Sequence, residues 1–277
     1  MPIDSLSQLR QWQLPTHPYP IIEDGLLLPE TALMLFGGAK SWKTMSAMHL
    51  AFCIAEGKDW YGYKTSPATI LKIQVELPKF QDQLRTVKYC NSHSLYSKNV
   101  FFKTPEENYL LDTTYGKQLL MKDIEEVRRR APNPDLPLVV FLDPTYLLMA
   151  GKVSDEEDVK RMLLNLNEVR RRLQVTYVIV HHSRLTKTDN AGAVVDMGAE
   201  DVMGSSYWNN WLDTMLRCQI TNPFTGANTV KIQWLLTRNA QTFHPSFTVK
   251  WRRTDLTTEL IHREIIEEEE PSVRDLI

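Results

Sequence analysis

Through the first two-thirds of the chain, short apolar runs alternate with segments whose apolar residues recur every three or four positions. Ala32 to Phe36, Thr69 to Val75, Val100 to Lys103, Leu138 to Leu142 and Thr176 to Val180 read as strands. Between them, Lys43 to Glu56, Pro78 to Tyr89, Gly116 to Arg130 and Asp155 to Leu173 read as helices. Continuous apolar strands separated by helices predict an α/β fold, with a mostly parallel central sheet covered by helices on both faces. Beyond about residue 206 the pattern changes to consecutive strands: Asp213 to Ile220, Thr229 to Leu236, Ser246 to Trp251 and Thr258 to His262. Turns such as Asn222-Pro223-Phe224-Thr225-Gly226 predict an antiparallel meander appended to the sheet edge. A helix over Asp4 to Leu14, with Leu6, Leu9 and Trp12 three residues apart, ends before Pro15 and Pro18. The organisation expected is an N-terminal arm over 1–19, one α/β domain over 20–263 and an acidic, solvated tail over 264–277.

Composition narrows the setting. With 277 residues, 43% of them hydrophobic and 24% charged, the chain has material for one large or two small globular domains. No run approaches the roughly 20 apolar residues that cross a bilayer, and Met1-Pro2-Ile3-Asp4 lacks a basic region followed by an apolar one. The expectation is a cytoplasmic protein with no membrane partner. Cys53, Cys90 and Cys218 lie far apart without a CxxC pair, which reads as free thiols. A net charge of −2 gives no general basic field, so nucleic-acid contact would have to come from a local patch or one created by assembly.

The chemistry starts at Gly37-Gly38-Ala39-Lys40-Ser41-Trp42-Lys43-Thr44, between a strand and a helix. This is a phosphate-binding loop in its required context: backbone N–H groups and the helix N-terminus face phosphates, Lys43 reaches the β/γ oxygens and the Thr44 hydroxyl ligates Mg²⁺. Trp42 stands where the pattern G-x-x-x-x-G-K-[ST] has glycine, so its indole must point away from the phosphates. Asp143 closes the run Leu138 to Leu142 and is the candidate second metal ligand. Glu76 follows the strand after the loop helix, where it can orient the attacking water. His181 and His182 end a further strand, and adjacent strand residues face opposite ways, so one imidazole can sense the γ-phosphate. Two adjacent histidines without an acidic or thiol cluster do not make a metal site.

The order GGAKSWKT, QVELP, VVFLDPTYLLMAG, VIVHHSRLTK and MGSSYWNN resembles the RepA-like branch of the RecA/DnaB-type ATPases, the hexameric replicative helicases of plasmids and phages. The resemblance runs from about Pro20 to about Trp251. It implies a RecA-like P-loop core that binds ATP and Mg²⁺ between the subunits of a hexameric ring and moves on single-stranded DNA in replication. It also implies that Glu76 is the catalytic acid, that His181 and His182 couple nucleotide to DNA loops, and that Arg238, in Trp234-Leu235-Leu236-Thr237-Arg238-Asn239, is a cationic finger reaching the neighbour's site, with Lys231 the weaker candidate. DNA contacts fall to Lys152, Arg184 and Lys187 in the loops after the Asp143 and His182 strands. A replication or recombination protein would be the further partner. Two other readings stay open: a RecA-type recombination or annealing protein forming filaments on single-stranded DNA, and a nucleotide-gated loader or regulatory module.

Overall fold

The computed structural model describes residues 3–11, 20–105, 108–183, 198, 202, 206–221 and 228–265. A short helix α1 (Leu6–Gln11) comes first. The predicted alternation follows: β1 (Ala32–Gly37), α2 (Lys43–Glu56), β2 (Thr69–Gln74), α3 (Lys79–His93), β3 (Val100–Lys103), α4 (Thr114–Arg130), β4 (Leu138–Asp143), α5 (Glu156–Leu173) and β5 (Val175–His182). A second short helix, α6 (Tyr207–Trp211), leads into β6 (Thr214–Ile220), β7 (Thr229–Thr237), β8 (Phe247–Trp251) and β9 (Thr258–Arg263).

These strands form one nine-stranded sheet in the order β3-β2-β4-β5-β1-β6-β7-β8-β9. Every pairing from β3 to β6 is parallel, and the antiparallel part starts only at β6–β7. The meander is therefore shorter than its sequence implied, because β6 returns alongside β1 after a crossover and only then turns back. β1, β2 and β4 are buried along their whole length, as expected of strands covered on both faces.

The sheet separates two apolar layers. On one side α2 and the aromatic residues Trp60, Tyr61, Tyr89, Phe247 and Trp251 pack against alternate strand positions. On the other, α4 and α5 contribute Leu120, Ile124, Met162 and Leu166. Asp155 caps α5 by accepting from the N–H groups of Glu157 and Asp158, and Thr113 caps α4 through Gly116 N–H. The expected packing of the N-terminal helix on its own domain does not occur: no residue of α1 is buried, and Leu6 and Leu9 are exposed. Among the described residues no helix is long and apolar enough to cross a membrane.

Candidate nucleotide-binding site

Three parallel strands end at one edge of the sheet, and the chain leaving each carries a polar group into the same cleft. β1 runs into the loop 38–42 and then α2; β4 ends on Asp143; β5 ends on His182. Gly37 is obligatory where β1 passes β6, since a Cβ there would lie 2.1 Å from the Cys218 carbonyl oxygen. Ser183 N–H donates to Gly37 O at 3.0 Å, which ties the end of β5 to the root of the loop.

The cleft has a volume of about 760 Å³ and is bordered by Ala39 through Thr44 together with Glu76, Asp143 and His182. Lys43 folds back over the loop, its Nζ donating to Gly38 O at 2.6 Å and approaching Ser41 Oγ at 3.4 Å. Burial lowers its pKa, with Asp143 and Glu76 among the anions pulling the other way. Thr44 Oγ1 donates to Asp143 Oδ1 at 3.1 Å. Asp143 Oδ2 is buried and without a hydrogen-bond partner among the described residues. Burial raises the Asp143 pKa, while Lys72 and the Thr44 hydrogen bond oppose the rise. A divalent cation satisfies such a carboxylate better than any neighbour present, and the adjacent hydroxyl is the second hard oxygen ligand it needs. The residues fit Mg²⁺.

Glu76 is not the last residue of β2. That place belongs to Gln74, which pairs in register with Asp143 and is buried. Gln74 Oε1 accepts from Leu77 N–H at 2.9 Å, shaping the turn that presents Glu76, exposed, at the cleft. Sequence reasoning did not single out Gln74, although its place at the end of an apolar run is the signal.

The two histidines divide as strand geometry requires. His182 borders the cleft, with its ring 5.0 Å from that of Tyr146, and burial and Lys43 both lower its pKa. His181 corrects the expectation that it contacts nucleotide. It is fully buried on the other face of the sheet, its ring 5.2 Å from Trp208. Consecutive residues of a strand cannot both face the cleft.

Trp42 adopts φ 61° and ψ 17°, the left-handed conformation that glycine supplies in the usual loop. Its ring stacks on Trp251 at 5.4 Å with an interplanar angle of 4°, so the indole is drawn against β8. Arg253 lies over the same ring at 5.7 Å.

The remaining candidates lie elsewhere. Arg238 is exposed and donates through Nη2 to the carbonyl oxygens of Asn209 and Asn210, outside its own chain's cleft. Lys231 pairs with Glu264. Lys152 is exposed, in a loop whose Ala150 and Gly151 N–H groups are held by Asp112. Arg184 and Lys187 lie outside the described residues.

A phosphate loop with Lys-Thr opening a helix, a buried acid on a neighbouring parallel strand and a third strand closing the cleft define a P-loop nucleotide-binding protein of RecA-like fold. The chain belongs to the AAA_25 family, described as an AAA domain, whose model matches residues 4–187. Solved structures agree on the fold at 12% sequence identity. One, an isolated ATPase domain, has a TM-score of 0.64, covering 84% of this chain and 85% of that one. A DnaB-like replicative helicase, described with its interactions with primase, has 0.61, covering 81% and 57%. The KaiC-like protein PH0186 from Pyrococcus horikoshii OT3 has 0.54, covering 89% and 96%. A comparison with curated proteins gives no match.

Proposed function

We propose that the protein is a Mg²⁺-dependent ATPase of the cytoplasm that acts as a ring helicase on single-stranded DNA during replication. The observation that carries the hydrolytic part is the convergence of Lys43, the Thr44–Asp143 pair and Glu76 on one cleft at the start of α2. Backbone N–H groups of residues 39–44 and the helix N-terminus receive the phosphates, and Lys43 moves from Gly38 O to the β/γ oxygens. Thr44 and Asp143 would hold the cation, which when bound polarises the γ-phosphoryl group. Glu76, solvent-facing at the mouth of the cleft, orients and polarises the attacking water. His182, kept neutral by burial and Lys43, reports the state of the γ-phosphate to the segment after β5.

The motor part rests on assembly. The fold shared with a DnaB-like replicative helicase and the wholly exposed α1 support a ring in which residues 1–19 reach a neighbour and Arg238 enters the neighbour's cleft. Lys152, Arg184 and Lys187 then face the DNA, and the tail over 264–277 is left for a replication partner.

Lys43→Ala and Glu76→Gln are expected to lower ATP turnover by about 100-fold or more. Glu76→Gln should still bind ATP, because the carboxylate acts on water and not on the phosphates. Normal turnover in Glu76→Gln would show that another group is the base. Turnover per subunit should rise steeply with protein concentration and with single-stranded DNA; a flat response to both removes the ring motor while leaving the ATPase.

A further inference from the structure

Two arginines outside the sequence motifs border the same cleft: Arg85 of α3 and Arg253 of the turn joining β8 to β9. Arg85 is half-buried, and neither guanidinium has a carboxylate partner among the described residues. Their neighbour Arg252 does, at 3.5 Å from Asp255. A guanidinium withdrawn from water without a counter-charge is costly, and it matches phosphate oxygens in bidentate geometry. Of the acids at the cleft, Asp143 is engaged with Thr44 and Glu76 faces solvent, so Lys40, Lys43, Arg85 and Arg253 leave a cationic excess.

The two arginines are also mechanically joined. Lys88, one helical turn beyond Arg85 on α3, donates through Nζ to Arg253 O at 3.2 Å. The Trp42 ring, anchored on Trp251, holds the Arg253 guanidinium over the cleft at 5.7 Å by cation–π attraction. Trp42 thus does something glycine cannot: it links the phosphate loop to the β8–β9 turn.

We propose that Arg85 and Arg253 form an intrachain cationic wall that grips the polyphosphate of a bound nucleoside triphosphate, with Trp42 as the rest that keeps Arg253 in reach. The inference builds on the nucleotide reading of the cleft. Its consequence is a division of labour: nucleotide affinity is supplied within one chain, whereas acceleration by Arg238 requires a neighbour.

Titration of the full chain with Mg²⁺-ATP, and separately with inorganic tripolyphosphate, tests it. Arg85→Ala and Arg253→Ala should each weaken ATP about 10-fold, and tripolyphosphate by a similar factor, with melting temperatures unchanged. Arg253→Lys should recover part of the loss, since charge without the fork still attracts phosphate. Wild-type affinity for ATP in both alanine variants, with Lys43→Ala losing it, overturns the wall and leaves the nucleotide site standing. Loss of ATP affinity with tripolyphosphate binding intact moves the arginines to the base or ribose and equally overturns the proposal. A wild-type chain that binds neither probe removes the nucleotide reading itself.

Discussion

Among single residues, Trp42 shows how a motif can change its letter and keep its backbone. A side chain in the left-handed region costs about 1–2 kcal/mol relative to glycine. Stacking on Trp251, itself buried, offsets that cost by removing most of the indole from water. The two effects separate by substitution. Trp42→Ala keeps the strained Cβ and loses the stack, whereas Trp42→Gly loses only the stack. Thermal unfolding should therefore rank wild type above Trp42→Gly and Trp42→Gly above Trp42→Ala, the last pair differing by about 1 kcal/mol. An alanine variant as stable as the glycine one would show that the left-handed backbone is not retained.

Between elements, the join of β2 to α3 is made by a buried ion pair. Lys72, in the middle of a buried strand, reaches Asp82 of α3 at 3.3 Å, and both side chains are almost wholly inaccessible. It also lies 5.9 Å from the Phe102 ring of β3. Removing one partner strands the other charge in a poorly solvated place. Asp82→Ala should cost about 3–5 kcal/mol by denaturant unfolding, and the double change Lys72→Met with Asp82→Leu much less. Equal losses in the single and double variants would mean that packing, not charge, decides this contact. Since α3 carries Arg85, the single variant should also loosen the nucleotide cleft.

Across the molecule as a whole, the layer joining α2, α3 and β8 closes around His49. Its Nδ1 lies 2.6 Å from Tyr89 OH and its Nε2 3.8 Å from Cys53 Sγ, with the rings of His93, Tyr61 and Trp251 alongside. Burial, with a smaller contribution from His93, holds its pKa down at about 3 against 6.5 for a free imidazole. The folded state thus binds fewer protons than the unfolded one in that window, so stability rises with pH. It is complete above about 6.5 and is lost progressively as the pH falls toward 3, by on the order of 3 kcal/mol near pH 4. Melting curves across that range should steepen less in His49→Gln. An unchanged slope in that variant would assign the acid sensitivity to other groups. One is Asp24, whose hydrogen bonds from Thr242, Gln241 and His244 hold it at about 2; its contribution fades only as the pH falls from about 4 to 2.

The alternation of runs was sufficient to place β1 to β5 and α2 to α5, because buried parallel strands must be continuously apolar and the helices over them must be amphipathic. The end of β5 was less legible: His181 and His182 belong to the strand, and only pairing with β1 extends it that far. The motif residues Lys43, Thr44, Glu76 and Asp143 were readable because each follows a strand at the same edge of the sheet. Arg85 and Arg253 were not, since helix and turn arginines are ordinary in sequence and meet only when α3 and the β8–β9 turn fold toward the same loop.

Local pattern was enough for the sheet's parallel half, the phosphate loop and the acids that serve it, since periodicity and strand ends are encoded by neighbouring residues. Packing in three dimensions was needed to establish that β6 lies parallel to β1, that His182 rather than His181 meets the cleft, and that Trp42 leans on Trp251. Those three depend on which surfaces meet across long separations in the chain, where burial and stacking choose the partner.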